Sequence, residues 1–257
     1  MPRRKLGFWF RLAVTVLRPP MVVFTKRDWR GGEHLPASGG VIVVTNHISY
    51  ADPVAFAHYL YDHGREPRFL AKSSLFEVPF VGRVIRGCQQ IPVYRRSTDA
   101  ALAFRGAVEA IERGECVGFY PEGTVTRDPG LWPMTGKTGA ARVALTTGAP
   151  VIPIAQWGAH ELLAPYSKRF RLFPRKTMHL VTGPPVDLSA FQGKELTAEV
   201  LRAATSVIMD ALTELLEKIR GENAPAERFD TRKHGVPETG NPHLRRSGGE
   251  ERPGWRR

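Results

Sequence analysis

Residues 41–52 read VIVVTNHISYAD, and this stretch decides the fold. Its first five residues are apolar or β-branched and follow two glycines, a pattern typical of a buried strand. The spacing of Val54, Ala57, His58 and Tyr61 over residues 51–63 predicts a helix. A buried strand that leads directly into a helix is the unit from which α/β proteins are built.

The same alternation continues along the chain. Short apolar runs predict further strands over 68–71, 90–94, 115–120, 151–156 and 177–182. Helical spacing and capping residues predict helices over 97–114, 138–147 and 197–220. The last helix has a predicted apolar face of Val200, Ala204, Val207, Ala211, Leu215 and Ile219.

This order predicts an α/β domain over 31–220, with a mixed, largely parallel central sheet flanked by helices. Residues 221–257 change character, because Gly, Pro, Asn and charged residues dominate and no period is visible. That composition predicts a disordered tail.

Residues 1–30 combine positive charge with apolar and aromatic side chains. They hold eight basic residues against one acid, more than half of the formal net charge of +12. The first apolar run is expected to stop at Pro19-Pro20, and at about twelve residues it is shorter than the about 20 that span a bilayer. Trp and Phe beside basic residues predict a helix in the membrane interface, bound to anionic lipid. The alternative is an ordinary first helix packed on the core.

The two cysteines, Cys88 and Cys116, form no CxxC pair. Their number and spacing predict neither a disulfide framework nor a zinc site, and a reducing, cytosolic setting is the simplest interpretation. No third ligand stands at a helpful spacing from His47 and Asp52, so we expect no metal.

The residues best suited to chemistry are His47 and Asp52, which follow the first buried strand. Open α/β sheets place ligand sites where strands end. A neutral imidazole can accept a proton near neutral pH, and a carboxylate at its other nitrogen would fix the tautomer. The spacing alone is a weak signal, because Asp52 followed by Pro53 also suits a plain helix start.

A second candidate element is residues 119–124, FYPEGT, where another buried strand ends in a turn. The turn carries the carboxylate of Glu122 and the flexible backbone of Gly123. Such a loop can present backbone N–H groups and a polar side chain to a ligand. The alternative is a turn that needs glycine only for its conformation.

Taken together, these motifs resemble the glycerolipid acyltransferase family that contains the 1-acylglycerol-3-phosphate acyltransferases. The NHxxxxD motif is residues 46–52, and the FPEGTRS motif is represented by residues 120–126, YPEGTVT. Between them stand a lysine block over 72–82 and a strand ending at Arg95. A lysine-glycine element at 137–139 and a Val-Pro strand at 151–154 follow. Order and spacing agree over about residues 31–183.

The resemblance implies an acyltransferase with a membrane-interface helix at the cytoplasmic face of the cell membrane. His47 would take the proton of the acceptor hydroxyl as it attacks the thioester of acyl-CoA or acyl carrier protein, and Asp52 would orient His47. No other cofactor is expected. The residues implied in binding the acceptor or its phosphate are Asn46, Lys72, Arg95, Glu122, Gly123, Thr124, Arg127 and Lys137.

One departure concerns the acceptor. The family's arginine after Glu-Gly-Thr is Val125 here, and Arg127 is the candidate replacement. The leading acceptor is 1-acylglycerol-3-phosphate, and another lysophospholipid or a glycolipid is the alternative.

Two other classes of function remain. A basic nucleic-acid-binding protein is suggested by the pI of about 10.1. However, the basic excess lies on an apolar N-terminus, so membrane lipid is the predicted partner and nucleic acid is not. A hydrolase would need an activated water or a serine nucleophile, and the chain has no GxSxG motif.

Overall fold

The computed structural model describes residues 7–93 and 97–237, except for the side chains of 97–100. Within these residues the elements are α1 (Phe8–Phe24), β1 (Thr25–Arg30), β2 (Val41–Val44), α2 (Asp52–Asp62), β3 (Pro67–Lys72), α3 (Ser73–Phe76), α4 (Val81–Gly87), β4 (Ile91–Val93), α5 (Ser97–Glu112), β5 (Cys116–Phe119), α6 (Gly139–Thr147), β6 (Val151–Trp157), α7 (Ala159–Leu162), β7 (Lys176–Thr182) and α8 (Ala198–Arg220). Two short 3-10 turns, Gly32–His34 and Ser189–Phe191, complete them.

The strands form one sheet in the order β1-β7-β6-β2-β5-β3-β4. Neighbours run parallel except for β6 and β7, which are antiparallel. The prediction of a mixed, largely parallel sheet flanked by helices is confirmed. Because β2 is the central strand, its carboxyl end lies in the middle of the row of strand ends on that side of the sheet.

Strand β2 shows why the apolar run is continuous. Val41 and Val43 pack into one core cluster with helix α2, whereas Ile42 and Val44 pack into a second cluster with α5 and α6. All four side chains are completely buried. A strand covered by helices on both faces needs apolar residues at every position.

The N-terminal segment differs from the prediction in two ways. Residues Thr25–Arg30 form β1 and pair with β7 along the whole strand, so the α/β domain begins before residue 31. The strand was missed because it is an edge strand, and its polar sequence TKRDWR has no apolar run. Helix α1 also continues through Pro19 and Pro20 to Phe24 instead of stopping there. Among the described residues, no helix has the length and apolar character to cross a membrane.

The C-terminal segment is packed over its described part, up to residue 237. Phe229 is buried, and its carbonyl accepts a hydrogen bond from the Thr135 amide at 3.1 Å. Arg228 pairs with Asp210 of α8. The boundary of the folded domain therefore moves beyond residue 220, because single apolar residues such as Phe229 anchor a segment that has no periodic pattern.

Candidate active site

Two loops meet at the carboxyl ends of the adjacent strands β2 and β5. Residues 45–51 follow β2, and residues 120–127 follow β5. The Thr126 amide donates to the His47 carbonyl at 2.7 Å, which joins the loops directly. Parallel neighbouring strands thus bring together two motifs that are more than 70 residues apart.

His47 and Asp52 form the predicted pair. The Nδ1 atom of His47 lies 2.9 Å from Oδ2 of Asp52. The same oxygen accepts hydrogen bonds from the amides of Ile48 at 2.6 Å and Ser49 at 2.8 Å. Asp52 is completely buried, whereas the His47 side chain is 14% exposed. A carboxylate oxygen held as an acceptor places the imidazole proton on Nδ1, and Nε2 is then the free base.

The ring of His47 is supported by Tyr120. The two ring centroids are 4.3 Å apart with a tilt of 36°. Burial raises the pKa of Tyr120 well above its ordinary value, so the phenol is neutral at physiological pH. Tyr120 therefore supplies an apolar wall and no charge next to the base.

Asn46 has a role different from the predicted one. It is completely buried, and its side-chain amide donates to the Gln156 carbonyl at 2.9 Å. Its Oδ1 accepts from the Gln156 amide at 2.8 Å, while Gln156 Nε2 donates to the Asn46 carbonyl at 2.7 Å. Both polar groups of Asn46 are used in bonds to Gln156, so Asn46 fastens the loop to β6.

Glu122 also differs from the expectation of a substrate ligand. It is buried, Oε1 accepts from the His47 amide at 2.9 Å, and Oε2 accepts from the Met134 amide at 3.0 Å. Burial raises the pKa of this carboxyl to about 8, although the two backbone donors oppose the shift. Glu122 thus joins the backbone at His47 to the backbone at Met134.

Gly123 and Lys137 lie together. Gly123 has a φ of +70°, and a Cβ there would lie 3.1 Å from Cε of Lys137. The Lys137 amide donates to the Pro121 carbonyl at 2.8 Å, which brings its exposed side chain over the turn. Thr124 is half-buried and hydrogen-bonded to Tyr166. The turn thus brings Gly123, Thr124 and Lys137 together, and their binding of the acceptor stays a prediction.

Val125 and Arg127 are both buried, and Arg127 lies against an aromatic ring. Val125 is 1% exposed and packs inward. Arg127 is also buried, with its guanidinium carbon 4.6 Å from the centroid of the Tyr166 ring. Burial lowers the pKa of Arg127 below its ordinary value, and the neighbouring Tyr166 and Tyr50 oppose the shift. Such a guanidinium stays charged, because arginine does not deprotonate in proteins.

Tyr166 is the residue that the sequence analysis missed at this site. Its hydroxyl donates to the carbonyls of Val125 and, at 3.2 Å, Thr126. Its ring lies 6.1 Å from that of Tyr50, which is 52% exposed. Only the fold could find this residue, since no strand or motif marks position 166. Gln156 was also missed, although a glutamine at the end of an apolar strand was a signal.

The two remaining predicted residues lie farther away. Lys72 ends β3, two strands from β2 at the same sheet edge, and is exposed. Arg95 lies outside the described residues. The structure thus brings His47, Asp52, Glu122, Gly123, Thr124, Arg127 and Lys137 into one region, whereas Lys72 is at its periphery.

Comparison with known proteins gives a consistent result. A family model described as Acyltransferase matches residues 26–157. A 1-acyl-sn-glycerol-3-phosphate acyltransferase of Borreliella burgdorferi is 30% identical over 194 residues, which cover 74% of this chain and 71% of that protein. The enzyme of the same name from Bacillus subtilis is 26% identical over 187 residues, covering 73% of this chain and 86% of that protein.

Among solved structures, a 1-acyl-sn-glycerophosphate (LPA) acyltransferase from Thermotoga maritima is similar with a TM-score of 0.59. The two chains are 24% identical, and the match covers 81% of this chain and 78% of the other. The likeness shows that the two share the fold.

Proposed function

The chain belongs to the acyltransferase family that contains the 1-acylglycerol-3-phosphate acyltransferases, and on this premise we propose that it acylates the free hydroxyl of 1-acylglycerol-3-phosphate. Membership makes it an O-acyltransferase of phospholipid biosynthesis. The product would be phosphatidic acid. The donor would be acyl-CoA or acyl carrier protein, both of which carry the acyl group as a thioester.

The observation that carries the proposal is the pair of His47 and Asp52, 2.9 Å apart at the end of the central strand. With the proton on Nδ1, Nε2 of His47 accepts the proton of the acceptor hydroxyl as its oxygen attacks the thioester carbonyl. Asp52 holds the ring and stabilises the imidazolium that forms. The C–O bond forms, the C–S bond breaks, and the leaving thiolate takes the proton back from His47.

This reaction needs no covalent acyl-enzyme, because the acceptor hydroxyl is itself the nucleophile. It also needs no metal or further cofactor, since a thioester is already an activated acyl group. Arg127, Lys137, Arg95 and Lys72 are the proposed phosphate ligands. Their cationic groups suit the phosphate of the acceptor.

We further propose that the enzyme works at the cytoplasmic face of the cell membrane, attached from one side. The acceptor and the product are both membrane lipids, whereas acyl-CoA and acyl carrier protein are water-soluble. Residues 1–30 carry a net charge of +7, which is attracted to anionic lipid. Lipid, and not nucleic acid, is therefore the proposed partner.

The direct test is His47→Ala with labelled acyl-CoA and 1-acylglycerol-3-phosphate. Loss of a general base lowers the rate by about 100- to 10,000-fold. The exposed His34, replaced by alanine, is the matched control and should retain full activity. Wild-type activity in a folded His47→Ala enzyme would refute the mechanism.

A second candidate acceptor deserves the same assay, because Val125 is buried where the family has an arginine. The candidate is another lysophospholipid or a glycolipid. A panel of lysolipids offered together with one labelled donor, and read by mass spectrometry, separates the two. Preference for 1-acylglycerol-3-phosphate supports the first proposal, and preference for another lysolipid replaces it with the second.

A further inference from the structure

Large apolar side chains are exposed in an uneven pattern. Among the described residues fourteen are exposed, and twelve of these belong to three segments. They are Phe8, Val16, Leu17, Val22 and Val23 of α1; Leu75, Val78, Phe80 and Val81 around α3 and α4; and Phe170, Leu172 and Phe173 of the loop before β7. Scattered apolar residues are normal on a protein surface, but a concentration of this kind marks an interaction site.

Of the three segments, the loop before β7 combines exposed aromatic side chains with a run of basic residues. Residues 168–176 read KRFRLFPRK, with five basic residues, and no acid occurs between 164 and 176. Every residue from 168 to 175 is exposed, and Phe170 and Phe173 are 59% and 73% exposed. We call residues 168–176 the basic-aromatic loop.

The basic-aromatic loop is joined to the end of α1. The rings of Phe24 and Phe173 meet edge to face, with their centroids 5.7 Å apart. Arg175 donates to the carbonyl of Val22 at 2.9 Å and to that of Thr25. The exposed side chains of Val22 and Val23 therefore extend the apolar surface of the loop.

Helix α1 also reaches the third segment. A Cβ at Gly87 would lie 2.2 Å from the ring of Trp9, so the missing side chain lets α1 pack closely on α4. Helix α1 therefore contacts α4 near its N-terminal end and the basic-aromatic loop near its C-terminal end. Leu102 and Tyr50 are the two exposed large apolar residues outside them.

The strand directions place the basic-aromatic loop, the C-terminal end of α1 and the start of α3 at the end of the sheet where His47 lies. Strand β7 is antiparallel to β6, and β6 is parallel to β2, so β7 begins at the edge where β2 ends. Strand β1 is parallel to β7, and α1 therefore ends at the same edge. Helix α3 follows the carboxyl end of β3, again at this edge. Tyr166, two residues before the basic-aromatic loop, donates to the carbonyl of Val125 beside the candidate active site.

We propose that the basic-aromatic loop, together with the C-terminal end of α1, docks the enzyme on an anionic phospholipid bilayer. Phe170, Leu172 and Phe173 enter the headgroup region, and the flanking lysines and arginines contact lipid phosphates. The docking surface lies at the end of the sheet at which His47 lies, so a lipid acceptor reaches the base without leaving the membrane surface.

The chemistry of the loop favours lipid over a protein partner. Protein interfaces are enriched in arginine and aromatic residues, but their cores are depleted of charged residues and the interfaces are poor in lysine. In the loop, cations alternate with apolar side chains, which is the composition of interfacial membrane segments. The inference rests on the proposed function for the direction of the substrate, but it can be tested without catalysis.

The test is partitioning of the full chain onto vesicles that contain neither donor nor acceptor. Vesicles of phosphatidylcholine alone are compared with vesicles that contain phosphatidylglycerol, at low salt. Removing two cations in Arg169→Gln/Arg171→Gln should weaken binding to the anionic vesicles about thirtyfold. Phe170→Ser/Phe173→Ser should weaken it at least about tenfold.

Matched controls come from exposed residues on other helices. Leu102→Ser on α5 and Arg142→Gln on α6 make the same kinds of change and should bind like the wild type. Circular dichroism verifies the fold of each variant. Because all changed side chains are exposed, loss of binding reports the surface and not the stability.

Wild-type partitioning by both loop variants would overturn the proposal, as would equal binding of the wild type to neutral and anionic vesicles. A loop variant that instead converts a dimer into a monomer in light scattering would overturn it in favour of a second copy. The acyl-transfer assay in detergent micelles is read separately. Lack of transfer with intact, loop-dependent vesicle binding would refute the proposed function alone.

Discussion

Replacement of Glu122 by glutamine should change how the stability of the protein depends on pH. Burial raises the pKa of this carboxyl from an ordinary 4.5 to about 8. The folded state then binds a proton that the unfolded state has released between these two values. The free energy of unfolding therefore falls by about 1.4 kcal/mol for each pH unit in this window. Between pH 5.5 and 7.5 the loss amounts to about 3 kcal/mol.

Glutamine has no proton to release, so this loss is absent in Glu122→Gln. At pH 5.5 both side chains are neutral, but only the protonated carboxyl has two oxygens that can accept from the amides of His47 and Met134, whereas the NH2 group of glutamine leaves one amide without an acceptor. The variant should therefore be about 1–3 kcal/mol less stable than the wild type at this pH. At pH 7.5 the wild type should have lost about 3 kcal/mol relative to the variant, because all other groups are shared.

Urea unfolding followed by circular dichroism at pH 5.5, 6.5 and 7.5 measures this difference. Glu195→Gln, at an exposed position, is the control and should give a difference that does not change with pH. The same constant difference in Glu122→Gln would refute the account of Glu122 as a buried, proton-binding support of the catalytic loop.

Two further predictions concern other supports of the site. Asn46→Ala removes both side-chain bonds to the Gln156 backbone and leaves a buried amide and carbonyl without partners; unfolding in urea should show a loss of about 2–4 kcal/mol, and a loss below about 0.5 kcal/mol would contradict this role. Tyr166→Phe keeps the ring beside Arg127 but removes the hydroxyl bonds; the KM for the acceptor should rise about fivefold, with little change in kcat. Since burial raises the pKa of Tyr166 to about 12, the effect should be equal at pH 6.5 and 8.5, and a fall in kcat alone would argue against it.

The fold was largely predictable because its strands are buried on both faces. An unbroken run such as Val41–Val44 can only be a central strand or a buried helix, and its length of 4 residues decides for the strand. Strand β1 was not predicted, for the opposite reason. It lies at an edge, and charged residues there are a means of avoiding unwanted pairing.

The faces of the helices were less predictable than the helices themselves. The buried side of α8 includes Leu201, Thr205, Ile208 and Leu212, whereas the predicted face contained Val200 and Val207. Of that predicted face, Ala204 and Leu215 are buried. The helix has apolar residues on adjacent stripes, so spacing alone cannot choose between them. The contacts with β6 and the packing of the sheet make the choice.

His47 and Asp52 lie within hydrogen-bonding distance, as their spacing suggested, but the hydrogen bonds of their neighbours were not visible in the sequence. Asn46 and Glu122 are polar residues in motifs, which suggests contact with substrate. Their partners, Gln156 and Met134, are far away in the chain, and only the folded sheet shows that every polar atom is already used. The sequence pattern singled out Asn46 and Glu122, and the hydrogen bonds show that they support the backbone.

The hydrogen bonds that hold His47, the proposed base, are separate from the residues proposed to bind the acceptor. His47 is held at its side chain by Asp52, at its amide by Glu122 and at its carbonyl by Thr126. None of these contacts involves the side chain at position 125, where the family's arginine is replaced by valine. The bonds that hold His47 therefore do not depend on the side chain at position 125. A change of acceptor can arise through Arg127 and Tyr166 without any change in the acyl-transfer chemistry, which is why the lysolipid panel, and not the His47 variant, is the experiment that decides the substrate.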